Sequence, residues 1–155
     1  MPEDRQFRQR LEAWQKELRE HILTPVAEIG FSGCPTFERL TEAQAAALPF
    51  SPMPVGTDWG HYREYCWFRA EFDIPESCEG QRVVWVSGLG GEQLAYVNGV
   101  ARGSIDKEHK YVTLFRQAPA GAHVSLLVES YAGHGARLEN GGPCPPERRP
   151  IPVTP

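Results

Sequence analysis

The residues between Tyr65 and Ser130 constrain the fold more than any other part of the chain. Short apolar runs alternate there with glycine-bearing turns, and the first run has period two. Cys66, Phe68, Ala70, Phe72 and Ile74 fall on one side of it, and Tyr65, Trp67, Arg69, Glu71 and Asp73 on the other. Such alternation marks a half-buried strand. Gln81–Ser87, bracketed by Gly80 and Gly88, reads as a second strand. Leu94–Val97 and Val100–Ser104 flank Asn98-Gly99, a dipeptide suited to a type I′ hairpin turn because both central residues need positive φ. Lys110–Arg116 and His123–Ser130 complete the set. Several strands with turn signals every ~8–12 residues and no long helix between them predict a mainly β chain. An antiparallel β-sandwich closed as a jelly roll is the most economical arrangement.

The flanks differ. Phe7, Leu11, Trp14, Leu18 and Ile22 recur at steps of three and four, which predicts an amphipathic N-terminal helix over 4–22, stopped by Thr24-Pro25. Its stripe is narrow, and its docking partner is open: this domain, a partner domain or a second subunit. Residues 25–40, with Gly30, Gly33 and Pro35, read as irregular. Thr41 to Gln44 fits a capping box opening a short helix. Pro49, Pro52 and Pro54 hold the following segment extended. Six of the last thirteen residues are proline, which predicts a stiff connector. The expected organisation is therefore a lead-in over 1–53, a β-sandwich domain over 54–142 and a proline-rich linker over 143–155 toward a separate catalytic domain.

Length and charge exclude several classes. At 155 residues the chain fits one domain with a substantial core. A formal net charge of −4 gives no electrostatic footprint for nucleic acid or an anionic membrane. The N-terminal segment is charged and lacks the apolar run of a signal peptide, and no apolar stretch approaches the ~18 residues of a membrane span. A cytoplasmic location is the expectation. Cys34, Cys66, Cys78 and Cys144 have no CxxC spacing, so a zinc knuckle is unsupported; their even number leaves a disulfide reading open, with free thiols as the expectation in a chain without an export signal.

Further motifs narrow the family. Pro54 to Gly60 (PVGTDWG), Trp67 to Ala70 (WFRA), Ile74-Pro75, Gly91 to Gly99 (GEQLAYVNG), Gly103 to Asp106 (GSID) and Glu129 to His134 (ESYAGH) occur in that order. The set resembles the N-terminal β-sandwich domain of glycoside hydrolase family 38 α-mannosidases. The hairpin alone is common among galactose-binding-like sandwiches; the ordered set is more specific. The resemblance implies a domain that precedes a zinc-dependent catalytic domain using a carboxylate nucleophile and a zinc held by Asp and His. None of those catalytic motifs occurs in this chain, so no catalytic residue, metal ligand or cofactor is carried onto it, and zinc is expected only in an associated catalytic domain.

Glycosidases need two carboxyl groups at ~5–5.5 Å or ~6.5–9.5 Å. Asp58, Glu64, Asp106, Glu108 and Glu129 are available, but nothing in their spacing pairs them. The five histidines share no strand face or helical step, so a metal site from them needs long-range convergence. Gly90 and Gly91 lack the lysine and helix of a phosphate loop and suit a turn or bulge. The contact candidates lie in polar loops. Trp59, His61 and Tyr62 precede the first long strand, where Trp59 either stacks on sugar or, as favoured, caps the core. Asp106 and His109 follow the hairpin. Tyr131 and His134 end the last long strand between glycines, where they either face a rim ligand or form a simple turn.

Taken together, the sequence predicts a non-catalytic accessory domain. It would pack on the catalytic domain of an α-mannosidase-like enzyme and shape its active-site entrance. The alternative is a free-standing carbohydrate-binding module with Trp59, Tyr62 and Trp67 as its aromatic platform. The expected partners are that catalytic domain, with carbohydrate and a homo-oligomer as further options, and neither nucleic acid nor membrane.

Overall fold

A computed structural model describes residues 2–106, 108–133 and 151–153. The helices are α1 (Pro2–His21) and α2 (Glu42–Ala45). The strands are β1 (Ser32–Thr36), β2 (Ser51–Pro52), β3 (Asp58–Trp59), β4 (Tyr65–Asp73), β5 (Val83–Val86), β6 (Glu92–Val97), β7 (Val100–Ile105), β8 (Tyr111–Phe115), β9 (His123–Tyr131) and β10 (Ile151–Pro152). A sheet in the order β2-β1-β4-β9-β6-β7 forms one layer, with every pairing antiparallel. β5 pairs with β8 and β3 with β10, and β8 packs beside β7. The mainly antiparallel fold expected from the alternation is the one that forms.

The period-two pattern explains the core. Cys66, Phe68 and Ala70 of β4 are buried with Val124, Leu126 and Val128 of β9, and with Ala95 and Val97 of β6. Val83 and Trp85 of β5 and Val112 and Leu114 of β8 belong to the same cluster. Phe68 is its aromatic centre, with ring centroids 5.6 Å from Trp59 and 6.3 Å from Phe31, both edge-on. Burial raises the Cys66 thiol far above its ordinary pKa, so it behaves as a small apolar group. Cys34, Cys66 and Cys78 are free thiols.

Local signals also hold. Asn98 and Gly99 have φ of 51° and 73°, as a type I′ turn requires. The Ser125 backbone N–H donates to Asn98 Oδ1 at 2.8 Å, which ties the hairpin to β9. Thr41 and Gln44 form the expected reciprocal capping box at the start of α2.

Three features depart from the sequence expectation. Residues 32–36 are a strand rather than irregular chain, although they contain glycine and proline. β2 pairs with β1 only at Ser32 and Gly33, so at Pro35 β1 is an edge and the missing N–H removes no bond on that side. A Cβ at Gly33 would sit 2.0 Å from Met53 Sδ and 3.2 Å from Phe68, so glycine allows the close packing. Trp67, expected on the outward side of β4, is fully buried. Ala45, Leu40, Leu48 and Phe50, on and around α2, cover the centre of that outer face and pack with Trp67 and Leu127. Finally, of the proline-rich stretch read as a connector, 151–153 returns to the sandwich. Ile151 and Pro152 pair with Trp59 and Asp58, and Val153 is buried in the core. Cys144 and His134 lie outside the described residues.

Helix α1 forms as expected, and its apolar stripe is left exposed. Phe7, Leu11, Trp14, Leu18 and Ile22 are all exposed. Among the described residues no helix is long and apolar enough to cross a membrane.

Candidate functional site

The sheet register gathers the contact candidates at one end of the sandwich. Tyr131 at the end of β9 lies opposite Tyr65 on β4 and opposite Glu92 on β6. Gln93 pairs with Ile105, which puts Asp106 beyond the same end of β7. The loop after β3 reaches this rim too, because the Arg63 backbone N–H donates to Gly133 O at 3.1 Å and Ala132 N–H to Glu64 O at 2.9 Å. His61, Tyr62, Asp106, His109 and Tyr131 thus share one rim with the buried Trp59, although they are distant in sequence. The Asn98-Gly99 turn lies at the opposite end.

Each side chain then has a defined task. Trp59 is 3% exposed and donates through Nε1 to Leu89 O at 2.8 Å. It caps the core and ties two rim loops, so it is no sugar platform; the burial of Trp67 removes a second member of the platform considered above. Glu64, also buried, accepts from the backbone N–H groups of Gly60 at 2.9 Å and His61 at 2.8 Å through Oε2. This carboxylate holds the 60–64 loop in shape and exposes His61 outward. Tyr62 lies 5.2 Å beneath the Arg63 guanidinium.

Asp106 organises the β7–β8 loop. Its Oδ1 accepts from the backbone N–H groups of His109 at 2.7 Å and Glu108 at 2.8 Å, and the His109 ring lies 3.1 Å away. Those backbone bonds, from His109 and then Glu108, lower the Asp106 carboxyl pKa, so it stays ionised. The arrangement is a self-satisfied, exposed turn.

Tyr131 sits in a different setting. Its ring lies 4.7 Å from that of Tyr65, tilted by 31°. Both rings line an open groove of about 210 Å³ on the outer sheet face, with Arg39, Glu92, Leu94 and Glu129. Burial pushes the Glu129 carboxyl up, with Arg39 opposing. Tyr65, Arg39 and Glu92 were not singled out from sequence. The signal available was the outward position of Tyr65 and Tyr131 at matching ends of two long strands; only their register made them neighbours. Among the described residues no three His, Cys, Asp or Glu side chains converge to hold a metal ion.

The far end of the same face carries a second polar cluster. His123 Nδ1 lies 2.7 Å from Asp73 Oδ1 and Nε2 3.0 Å from Glu71 Oε2, while Ser125 Oγ donates to Glu71 Oε1 at 2.7 Å. The Asp73 and then the Glu71 hydrogen bonds raise the His123 pKa above 6.5. Its stabilising contribution is therefore full below the unfolded value and lost as pH rises through the folded one. In NMR titration the His123 midpoint is expected above 6.5. The stability deficit of His123→Ala should shrink as pH rises through that midpoint. A midpoint at or below the ordinary value contradicts the clamp.

Comparison with known proteins gives the family. The family model described as alpha-mannosidase, jelly roll domain, matches residues 24–148. The chain belongs to this jelly-roll domain family of α-mannosidases. The match includes β1 and α2, in agreement with their packing on the sandwich. The jelly-roll domain is 34% identical over 91 residues to alpha-mannosidase 2C1 of Mus musculus, covering 59% of this chain and 9% of that protein. It is 37% identical over 73 residues to alpha-mannosidase 2C1 of Homo sapiens, covering 47% of this chain and 7% of that protein. The chain thus spans less than a tenth of either relative's length. A solved β-glucuronidase from Ruminococcus gnavus shares the fold alone, with a TM-score of 0.55 and 14% identity over 84% of this chain and 28% of that one. The resemblance drawn from the ordered motifs and the jelly-roll closure are both upheld.

Proposed function

We propose that this jelly-roll domain serves an α-mannosidase-like glycoside hydrolase as a non-catalytic accessory domain, packing on the catalytic domain and shaping its active-site entrance. One observation carries the proposal. The chain belongs to a domain family named for α-mannosidases, while it spans only 9% of the mouse α-mannosidase it resembles. The remaining length of such an enzyme is where the catalytic machinery and its zinc belong.

Two structural features support a docking role. The apolar stripe of α1 is exposed, with Phe7 at 65% and Trp14 at 59%. A stripe of that kind on a helix is a face that favours burial. Its occupant in this reading is the catalytic domain. At the rim, the loops around His61, Tyr62, Asp106 and His109 project from a rigid scaffold, the usual place for domain contacts.

The 155-residue chain alone should hydrolyse no aryl α-mannoside, with or without added zinc. Mixed with a family catalytic domain it should co-elute, and Trp14→Glu with Leu18→Glu should abolish co-elution without lowering the sandwich's melting temperature. Zinc-dependent turnover by the chain alone overturns the non-catalytic reading. Self-association through α1, with no binding to the catalytic domain, overturns the docking assignment.

A further inference from the structure

The Asn98-Gly99 turn plays no part in the accessory-domain reading, yet it carries a reactive pair. A glycine after an asparagine has no Cβ to shield its nitrogen, which leaves that nitrogen open to attack the asparagine side-chain amide. Both residues are exposed. Among the described residues, a Cβ built on Gly99 would have only Glu42 Oε1 as a neighbour, at 4.0 Å, so solvent reaches this point of the turn. The chemistry balances with water alone. Solvent base takes the Gly99 N–H proton, and the nitrogen attacks Asn98 Cγ. One C–N bond forms, and the bond to Nδ2 breaks as ammonia leaves. Water then opens the cyclic imide at either carbonyl, leaving aspartate or isoaspartate in place of the asparagine.

The fold places a latch on this reaction. A five-membered imide brings Asn98 Cγ into the plane of the Asn98–Gly99 peptide. The type I′ turn, with φ of 51° and 73°, holds that peptide rotated so that its nitrogen faces away from the side chain. The side chain is held back as well. Ser125 N–H donates to Asn98 Oδ1 at 2.8 Å, and Asn98 N–H donates to Ser125 O at 2.8 Å. Ring closure therefore needs the turn to leave β9 first. Isoaspartate, once formed, adds a methylene to the backbone of a loop whose flanking residues, Val97 and Val100, are paired. A two-residue turn of that length no longer matches the register. β7 ends the large sheet, and β6 is its partner there. We infer that Asn98 is a deamidation site gated by release of the hairpin from β9, and that conversion to isoaspartate irreversibly loosens the turn end of the β6–β7 pair.

The test ages the whole chain in mildly alkaline buffer made with heavy-oxygen water, once folded and once unfolded in urea. Peptide mapping by mass spectrometry locates the incorporated oxygen and separates Asn98 from the second Asn-Gly pair, Asn140-Gly141. Asn98 is expected to convert in both states, at least about tenfold more slowly when folded, because two hydrogen bonds hold the turn closed. In urea below the unfolding transition its rate should rise in step with hydrogen exchange of the Ser125 amide. The isoaspartate product should lose the NMR contacts between Val97 and Val100. Asn98→Asp should keep them, since a carboxylate oxygen still accepts from Ser125 N–H. No conversion at Asn98 in the unfolded chain, equal rates in the two states, a folded rate independent of Ser125 exchange, or an isoaspartate product with those contacts intact overturns the inference.

Discussion

Phe68→Ala is expected to remove about 3–5 kcal/mol of folding stability. Phe68 is fully buried at the middle of β4. Phe31 from the segment before β1 and Trp59 from the rim both meet its ring edge-on. Truncation opens a cavity that neither neighbour can fill, because Trp59 is anchored through Nε1 to Leu89 O. The loss adds transfer free energy to unrelieved void, which is why aromatic truncations lie at the upper end of core substitutions. For a chain of this size it corresponds to a fall in melting temperature of roughly 6–20 °C. Equilibrium urea unfolding measures it directly. A loss of under about 1 kcal/mol contradicts the place given to Phe68, since that is the cost of a mild, well-relaxed core change.

Gly91→Ala comes second, and it links stability to the candidate groove. Gly91 has φ of +75°, a conformation that strains any residue with a Cβ. An added Cβ would also lie 2.7 Å from the Tyr131 carbonyl oxygen and 3.2 Å from the Trp59 ring. The left-handed conformation costs about 1–2 kcal/mol and the overpacking about 1–3 kcal/mol. The expected destabilisation is therefore about 2–5 kcal/mol. The backbone oxygen cannot move aside as a side-chain tip can, so the end of β9 must shift, carrying Tyr131 with it. Gly121→Ala is the control: it shares a positive φ of 61° but meets nothing within 4 Å, so only the conformational strain applies. Equal effects of the two substitutions contradict the contact at Tyr131.

The difference between those two glycines shows how far the sequence could be read. Both are legible as turn residues. Only the tertiary contact at Gly91 marks it as the point where the Gly88–Gly91 turn meets the end of β9. The same holds for the aromatic residues. Alternation placed Trp67 with Tyr65 on the outward side of β4, and it does project from that face. It is buried there because residues 40–50 fold across the centre of the sheet. Tyr65, one step along the same side, is left half-exposed beside Tyr131. No local pattern distinguishes the two, since the covering segment arrives from elsewhere in the chain.

What the sequence determined by itself was the local grammar and the family. Period-two alternation, the Asn98-Gly99 turn and the Thr41–Gln44 capping box are interactions within a few residues, so composition and spacing suffice to specify them. The ordered motifs were enough for the α-mannosidase jelly-roll family. Only the tertiary structure decided which of these elements touch. It made a strand of Ser32–Thr36 by pairing it with β4, despite Gly33 and Pro35. It drew Ile151–Val153 back to β3, and it set Tyr65, Glu92 and Tyr131 in one row. Pairing across a sheet joins residues tens of positions apart through backbone hydrogen bonds that any side chain permits. Register is then settled by burial over whole faces, which no single segment records.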